Sequence, residues 1–132
     1  EYFALIDKEL TDRQIQALEY GVMVQGSRTS PAGVKKMVNR NAPWYSLIIH
    51  EGRKHQVRNM FHAIGCQVYE LKRVRIRNLL LGSLRSGRVV ELTKDEIQNL
   101  SSSISPIPFT PGKQRSYKRN LQFKTRLRSR KK

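Results

Sequence analysis

Cations set among apolar residues are the first chemistry this sequence offers. Between His50 and Gly65 the run HEGRKHQVRNMFHAIG places Arg53, Lys54 and Arg58 beside His55 and His62. Further on, Arg73, Arg75 and Arg77 alternate with Val74 and Ile76. Guanidinium groups stay charged at any relevant pH and grip carboxylate or phosphate through two parallel hydrogen bonds. On a strand, the alternation predicts one apolar face and one row of three arginines. Like charges in such a row repel unless an anion lies across them, and an RNA or DNA backbone is an anion of that shape. An exposed face with dispersed counterions explains the same row without a ligand.

Other chemistries find less support. His55 and His62 stand seven apart with no third ligand in register, so a zinc site is not expected. Cys66 is the single cysteine, which rules out a disulfide framework within these residues and fits a reducing compartment. It reads as a small core residue rather than a nucleophile. The three aspartates are Asp7, Asp12 and Asp95, in contexts that suit a turn and the first turns of two helices.

Bulk charge names the class of partner. The 132 residues hold 26 Lys and Arg against 10 Asp and Glu, a formal net charge of +16, with a sequence pI near 10.7. Such an excess attracts polyanions. Nucleic acid is a better counterpart than a membrane, since the sequence has no long apolar stretch and no lipidation motif. The last twenty residues, 113–132, contain ten Lys or Arg and no acid, so they carry +10 of the total and the rest +6. No core can be built from that composition, and residues 101–132 read as a Pro/Ser linker followed by a disordered, RNA-binding basic tail.

The elements that must position the cations follow from local pattern. Tyr2 to Ile6 reads as a strand, and its strand-like start suggests a segment continuing from a longer polypeptide. Thr11 with Gln14 forms a capping-box pattern opening a helix that Gly21 closes. A short strand is expected at Val22 to Val24 and a loop over QGSRTSPAG. Trp44 to His50 alternates Tyr45, Leu47 and Ile49 on one face of a strand. Val57, Met60, Phe61 and Ile64 repeat at helical spacing, with Gly65 as the stop. VYELKRVRIRNLLLGSL reads as a strand or strand pair, and Thr93 with Glu96 opens a last short helix near Leu100.

The stretch from Ile48 to Glu96 resembles the C-terminal half of the catalytic domain in the ribosomal RNA pseudouridine synthase family acting on small and large subunits. The resemblance rests on Glu51, Gly52, Arg53, Lys54, Gln56, Val57, Arg58, Met60 and Gly65, then on Leu71, Arg73, Arg75, Ile76, Leu81, Gly87, Arg88, Leu92, Thr93 and Glu96. EYFALI is similar to that family's Lys-x-Tyr strand, with Tyr2 in the tyrosine position, so residues 1–100 are covered. The resemblance implies an α+β domain, a mostly antiparallel mixed sheet with flanking helices, that isomerises uridine to pseudouridine without a cofactor. It implies that Tyr2 stacks on the extruded uracil and that Arg58 pairs with a nucleophilic aspartate. Arg53, Lys54, His55, Gln56, Arg73, Arg75 and Arg77 would lie along RNA.

The partners implied are ribosomal RNA, free or within a ribosomal subunit precursor, and the upstream part of the same catalytic domain. A bacterial cytoplasm or an organellar interior suits such a protein. The family's Gly-Arg-Leu-Asp motif does not occur in this sequence, so the nucleophile is expected upstream and the chain alone is expected to be inactive. A non-catalytic, ribosome-associated RNA-binding protein that keeps the fold is the alternative. For the tail, RNA affinity should fall steeply with salt because phosphate contacts release counterions. Deleting residues 113–132 should flatten the slope of log K against log salt, measured by filter binding, and an unchanged slope would show the tail idle.

Overall fold

The computed structural model describes residues 1–102, and the basic tail lies outside them. Its order is β1 (Tyr2–Ile6), α1 (Asp12–Tyr20), β2 (Met23–Val24), β3 (Ser27–Arg28), β4 (Gly33–Lys36), β5 (Trp44–Ile48), α2 (Gln56–Ala63), β6 (Val68–Arg73), β7 (Arg75–Ile76), β8 (Leu79–Leu80) and α3 (Lys94–Ser101). Four strands form one antiparallel sheet in the order β4-β5-β1-β6. This is the expected α+β class with helices flanking an antiparallel sheet.

Strand β1 is central because its alternation lets both edges pair. Tyr2 stands opposite Leu47 and Arg73, and Ala4 opposite Tyr45 and Leu71. Ala4, Ile6, Tyr45 and Leu47 are buried in one cluster with Leu18 of α1 and with Val57, Met60 and Phe61 of α2. Both helices therefore cover the same face of the sheet. Phe3, Leu5, Trp44 and Ile48 point to the other face and stand outside that cluster.

The caps form where the sequence places them. Thr11 accepts from the Gln14 backbone N–H while the Gln14 side chain accepts from the Thr11 N–H, and Thr93 and Glu96 repeat the exchange. Gly21 ends α1 at φ 101, and its N–H donates to Ala17. The alternative to glycine there is closed, since a Cβ would lie 2.2 Å from the Thr29 carbonyl oxygen. Cys66 is buried against the core, and burial raises its thiol pKa, as suits a packed residue rather than a nucleophile.

Three expectations need correction. The segment read as a loop after Val24 contains β3 and leads into β4; these strands are polar and form through pairing with β2 and β5 rather than through apolar alternation. The strand from Trp44 ends at Ile48, before His50. The arginine row is not one strand face. The ladder breaks at Val74, where the Val74 and Arg75 N–H groups both turn to the Glu1 carbonyl, and Arg77 sits at φ 49 in the turn of the β7–β8 hairpin.

Gly21→Ala should destabilise the fold by more than about 1 kcal/mol, because both backbone conformation and space are wrong for a side chain. Gly52→Ala, which meets nothing within 4 Å, serves as the control. Urea midpoints that coincide for the two variants would refute the packing argument.

Candidate nucleic-acid interface and active-site wall

The cationic loop before α2 is organised by an acid. Glu51 Oε1 accepts from the Ser30 N–H at 2.8 Å and from Gln56 Nε2 at 2.7 Å. Glu51 Oε2 lies 3.4 Å from Arg53 Nη2. The Arg53 N–H in turn donates to Gln56 Oε1 at 2.9 Å. Arg53 also reaches back to the β2–β3 hairpin, donating to Ser27 Oγ at 2.6 Å and to the Arg28 carbonyl at 2.7 Å. The loop and the hairpin are thus bound into one unit.

This unit fixes where α2 starts. Gln56 is 4% exposed, with its amide held between Glu51 and the Arg53 backbone. The preceding His55 caps the helix at φ 52 without a side-chain cap bond. A left-handed conformation costs a non-glycine residue on the order of 1 kcal/mol, and persists where the surroundings over-determine it. Here the locked Gln56 side chain and the Gln56 N–H donating to the Arg53 carbonyl at 3.1 Å supply that determination. The Asn59 side chain donates to the Lys54 carbonyl at 3.2 Å, and the Lys54 and His55 side chains are exposed.

Arg58 projects from the exposed side of α2, and its Nη1 donates to the Val68 carbonyl at 2.9 Å. That carbonyl lies at a register shift. Ile6 pairs with Val68 while Leu5 pairs with Glu70, so Tyr69 is the extra residue of a β-bulge. At the other end of β6, Arg73 faces Tyr2. Arg73 Nε donates to Tyr2 Oη at 2.8 Å, Arg73 Nη2 donates to the same oxygen, and the guanidinium carbon lies 5.0 Å from the ring centroid.

The nominated residues therefore separate. Tyr2 and Arg73 come together; so do Arg53 and Gln56, around Glu51. Arg58 and Tyr2 do not meet, since Val68 and Arg73 are five steps apart on β6, about 16 Å at strand rise. Arg75 Nε pairs with the Glu1 carboxylate at 2.9 Å, on which Ser46 Oγ also donates at 2.7 Å. Arg77 Nη1 donates to the Leu100 carbonyl at 2.8 Å and the Ser102 carbonyl at 3.2 Å, which closes the end of α3. Glu51 is the residue whose role the sequence reading left unassigned; an acid inside a basic run, five before a glutamine, was the available signal.

The aspartates stand where their contexts suggested. Asp7 Oδ1 accepts from the Gln67 N–H at 2.8 Å, and Asp12 and Asp95 lie in first helical turns. Among the described residues no group of three or more His, Cys, Asp or Glu could hold a metal ion, and no helix is long and apolar enough to cross a membrane.

No protein-family model matches the chain, but individual proteins do. A putative chloroplastic ribosomal large subunit pseudouridine synthase of Arabidopsis thaliana is 34% identical over 104 residues, spanning 76% of this chain and 25% of that protein. A dual-specificity RNA pseudouridine synthase of Escherichia coli is 32% identical over 114 residues, 80% of this chain and 38% of its own length. A crystal structure of a pseudouridylate synthase superposes with a TM-score of 0.67 at 31% identity, over 75% of this chain and 43% of that one. The chain belongs to the pseudouridine synthase family. It spans less than half the length of these relatives.

Within this pseudouridine synthase segment the Glu51 carboxylate should be the pH-sensitive part of the clamp. The Ser30 backbone N–H holds its pKa below the ordinary carboxylate value, against an opposing effect of partial burial, and Gln56 and Arg53 add to the lowering. A lowered folded-state pKa gives stability that is full above the unfolded value of about 4.3 and is lost as pH falls through the folded value. Glu51→Gln should therefore cost roughly 1.5–3 kcal/mol at neutral pH, the range for hydrogen bonds to a charged group. The gap from wild type should close on acidification in urea titrations. A gap that is constant from pH 7 to pH 3 would exclude this linkage.

Proposed function

We propose that the protein containing this chain isomerises a uridine of ribosomal RNA to pseudouridine. The observation that carries the reading is the match in both sequence and fold to proteins named as pseudouridine synthases, over three quarters of the chain. In that reaction the N1–C1′ bond breaks, the freed uracil turns, and C5 bonds to C1′. The proton leaving C5 is balanced by one gained at N1, so no cofactor, oxidant or reductant enters.

The chemistry assigns work to groups on this chain. The target base has to leave its stack, at a cost of a few kcal/mol, and Tyr2 offers it a flat aromatic face at the rim of the core. A carboxylate is needed at the sugar, as nucleophile or as charge stabiliser. None of Asp7, Asp12 and Asp95 has the required context, so we assign the nucleophile to a part of the protein beyond these 132 residues, and we expect the isolated chain to be inactive. Arg58 is the cation that would hold that aspartate ionised. Its one hydrogen bond among the described residues is to a backbone carbonyl, a neutral acceptor that a carboxylate displaces with gain, since charge-assisted bonds are about twice as strong. Ribosomal RNA or a subunit precursor is the substrate, in a bacterial cytoplasm or an organelle.

The second reading is a ribosome-associated RNA-binding protein that keeps the fold and the cationic surface without catalysis. A parent reading frame with another residue in place of that aspartate would establish it. In a parent that carries the aspartate, Arg58→Ala should lower pseudouridine formation by at least about 100-fold, the scale for losing a group that fixes the reacting geometry. Carbodiimide primer extension on ribosomal RNA reads the product, and full activity of the variant would remove Arg58 from the mechanism.

A further inference from the structure

Resting on the isomerase reading above, we infer that Arg73 is the positioning residue of Tyr2, rather than one more phosphate contact. The two are direct cross-strand partners in β1 and β6, on the sheet face that α1 and α2 cover, and both stand at its rim. Side chains opposed in an antiparallel pair are about 5 Å apart at Cβ and cannot avoid each other. Arg73 uses this proximity twice, giving Nε–H and Nη2–H to one phenol oxygen while its guanidinium carbon stays 5.0 Å from the ring centroid.

A phenol oxygen has two lone pairs and one proton. With both lone pairs taken by Arg73, the hydroxyl is left as a donor alone, directed away from the guanidinium. The ring is held at its polar end, so its rotation is fixed by a charged hydrogen-bonded fork rather than by packing, which is incomplete for a half-buried side chain. A base entering this site meets a tyrosine whose face and O–H direction are already set. Arg73 therefore acts through Tyr2, and its removal should disturb the chemical step more than the capture of RNA. Lys72, the adjacent cation, points to the opposite face beside Phe3 and touches none of this.

The experiment compares steady-state kinetics of the intact parent protein with those of Arg73→Ala, Arg73→Lys, Tyr2→Phe, the Arg73→Ala/Tyr2→Phe double variant and Lys72→Ala. Arg73→Ala should lower kcat by about 100-fold, the scale of a misplaced reacting partner, with KM nearly unchanged. Arg73→Lys should restore part of kcat, because an ammonium can still donate to the phenol oxygen. The double variant should be no worse than Tyr2→Phe alone, as expected for residues acting through one contact. A rise in KM with kcat intact, or losses that multiply in the double variant, would overturn the inference and make Arg73 a phosphate contact.

An inactive wild-type parent would instead sink the isomerase reading. The pairing is then decided on the same intact parent protein by the Tyr2 Cζ resonance, assigned by its loss in Tyr2→Phe. It should move in Arg73→Ala and stay fixed in Lys72→Ala, and a resonance indifferent to Arg73 rejects the contact.

Discussion

A carboxylate that accepts three hydrogens has few places to go, and Glu51 is held in that way by Ser30, Gln56 and Arg53. Its attachment to Ser30, 21 residues back, joins the β2–β3 region to the loop that launches α2. Were it released, Gln56 would be a buried amide with a lost partner, at a cost of about 1–3 kcal/mol, and His55 would have no reason to stay at positive φ. The ion pair itself is the weaker part. At 3.4 Å and partly exposed, it belongs to the class worth at most about 1 kcal/mol. The neutral donors aimed at the carboxylate matter more, and so the clamp depends on how those donors are placed around its charge.

The sheet supplies a second constraint, independent of the first. Because β1 is paired on both edges, Tyr2 has fixed neighbours on each side, Leu47 and Arg73. The bulge at Tyr69 shifts the register of β6 by one residue relative to β1, and the carbonyl beside it is the one Arg58 occupies. A chain of contacts therefore runs from the Glu51 clamp to the start of α2, from α2 to Arg58, and from Arg58 to the bulge in β6. Tyr2 and Arg73 are anchored on the same strand pair at its far end. The two proposed chemical groups are thus carried by one rigid unit although they do not touch.

Elements with their information in nearby residues were legible. The capping boxes at Thr11 and Thr93 are three-residue exchanges, and the stripe of Val57, Met60, Phe61 and Ile64 needs only the period of a helix. β4 was not legible, because Gly-Val-Lys-Lys carries no alternation of its own and is a strand only through the edge of β5. The break at Val74 was also hidden, since it depends on the carbonyl of Glu1, which the sequence places more than seventy residues away. The site followed the same division. Residue types predicted a cationic surface, but which cation meets which partner is decided by register. Tyr2 meets Arg73 and not Arg58, and Arg75 meets Glu1.

That division changes what the positive charge can be used for. A guanidinium committed to protein acceptors has fewer free N–H groups and a fixed position, so it discriminates geometry but adds little adaptable affinity. Arg53, Arg75 and Arg77 each give at least two hydrogen bonds to other residues of the described chain, and Gln56 is buried. Lys54 and His55 are exposed at the mouth of α2, beyond the clamp that fixes their backbone. A polyanion approaching this surface meets rigid arginines already spent on the fold and a short, exposed pair free to follow a phosphate. Long-range attraction counts every cation alike, because the field of +16 does not depend on which of them are paired. Contact does not. The same basic residues can thus act together in drawing a polyanion to the protein and separately once it arrives.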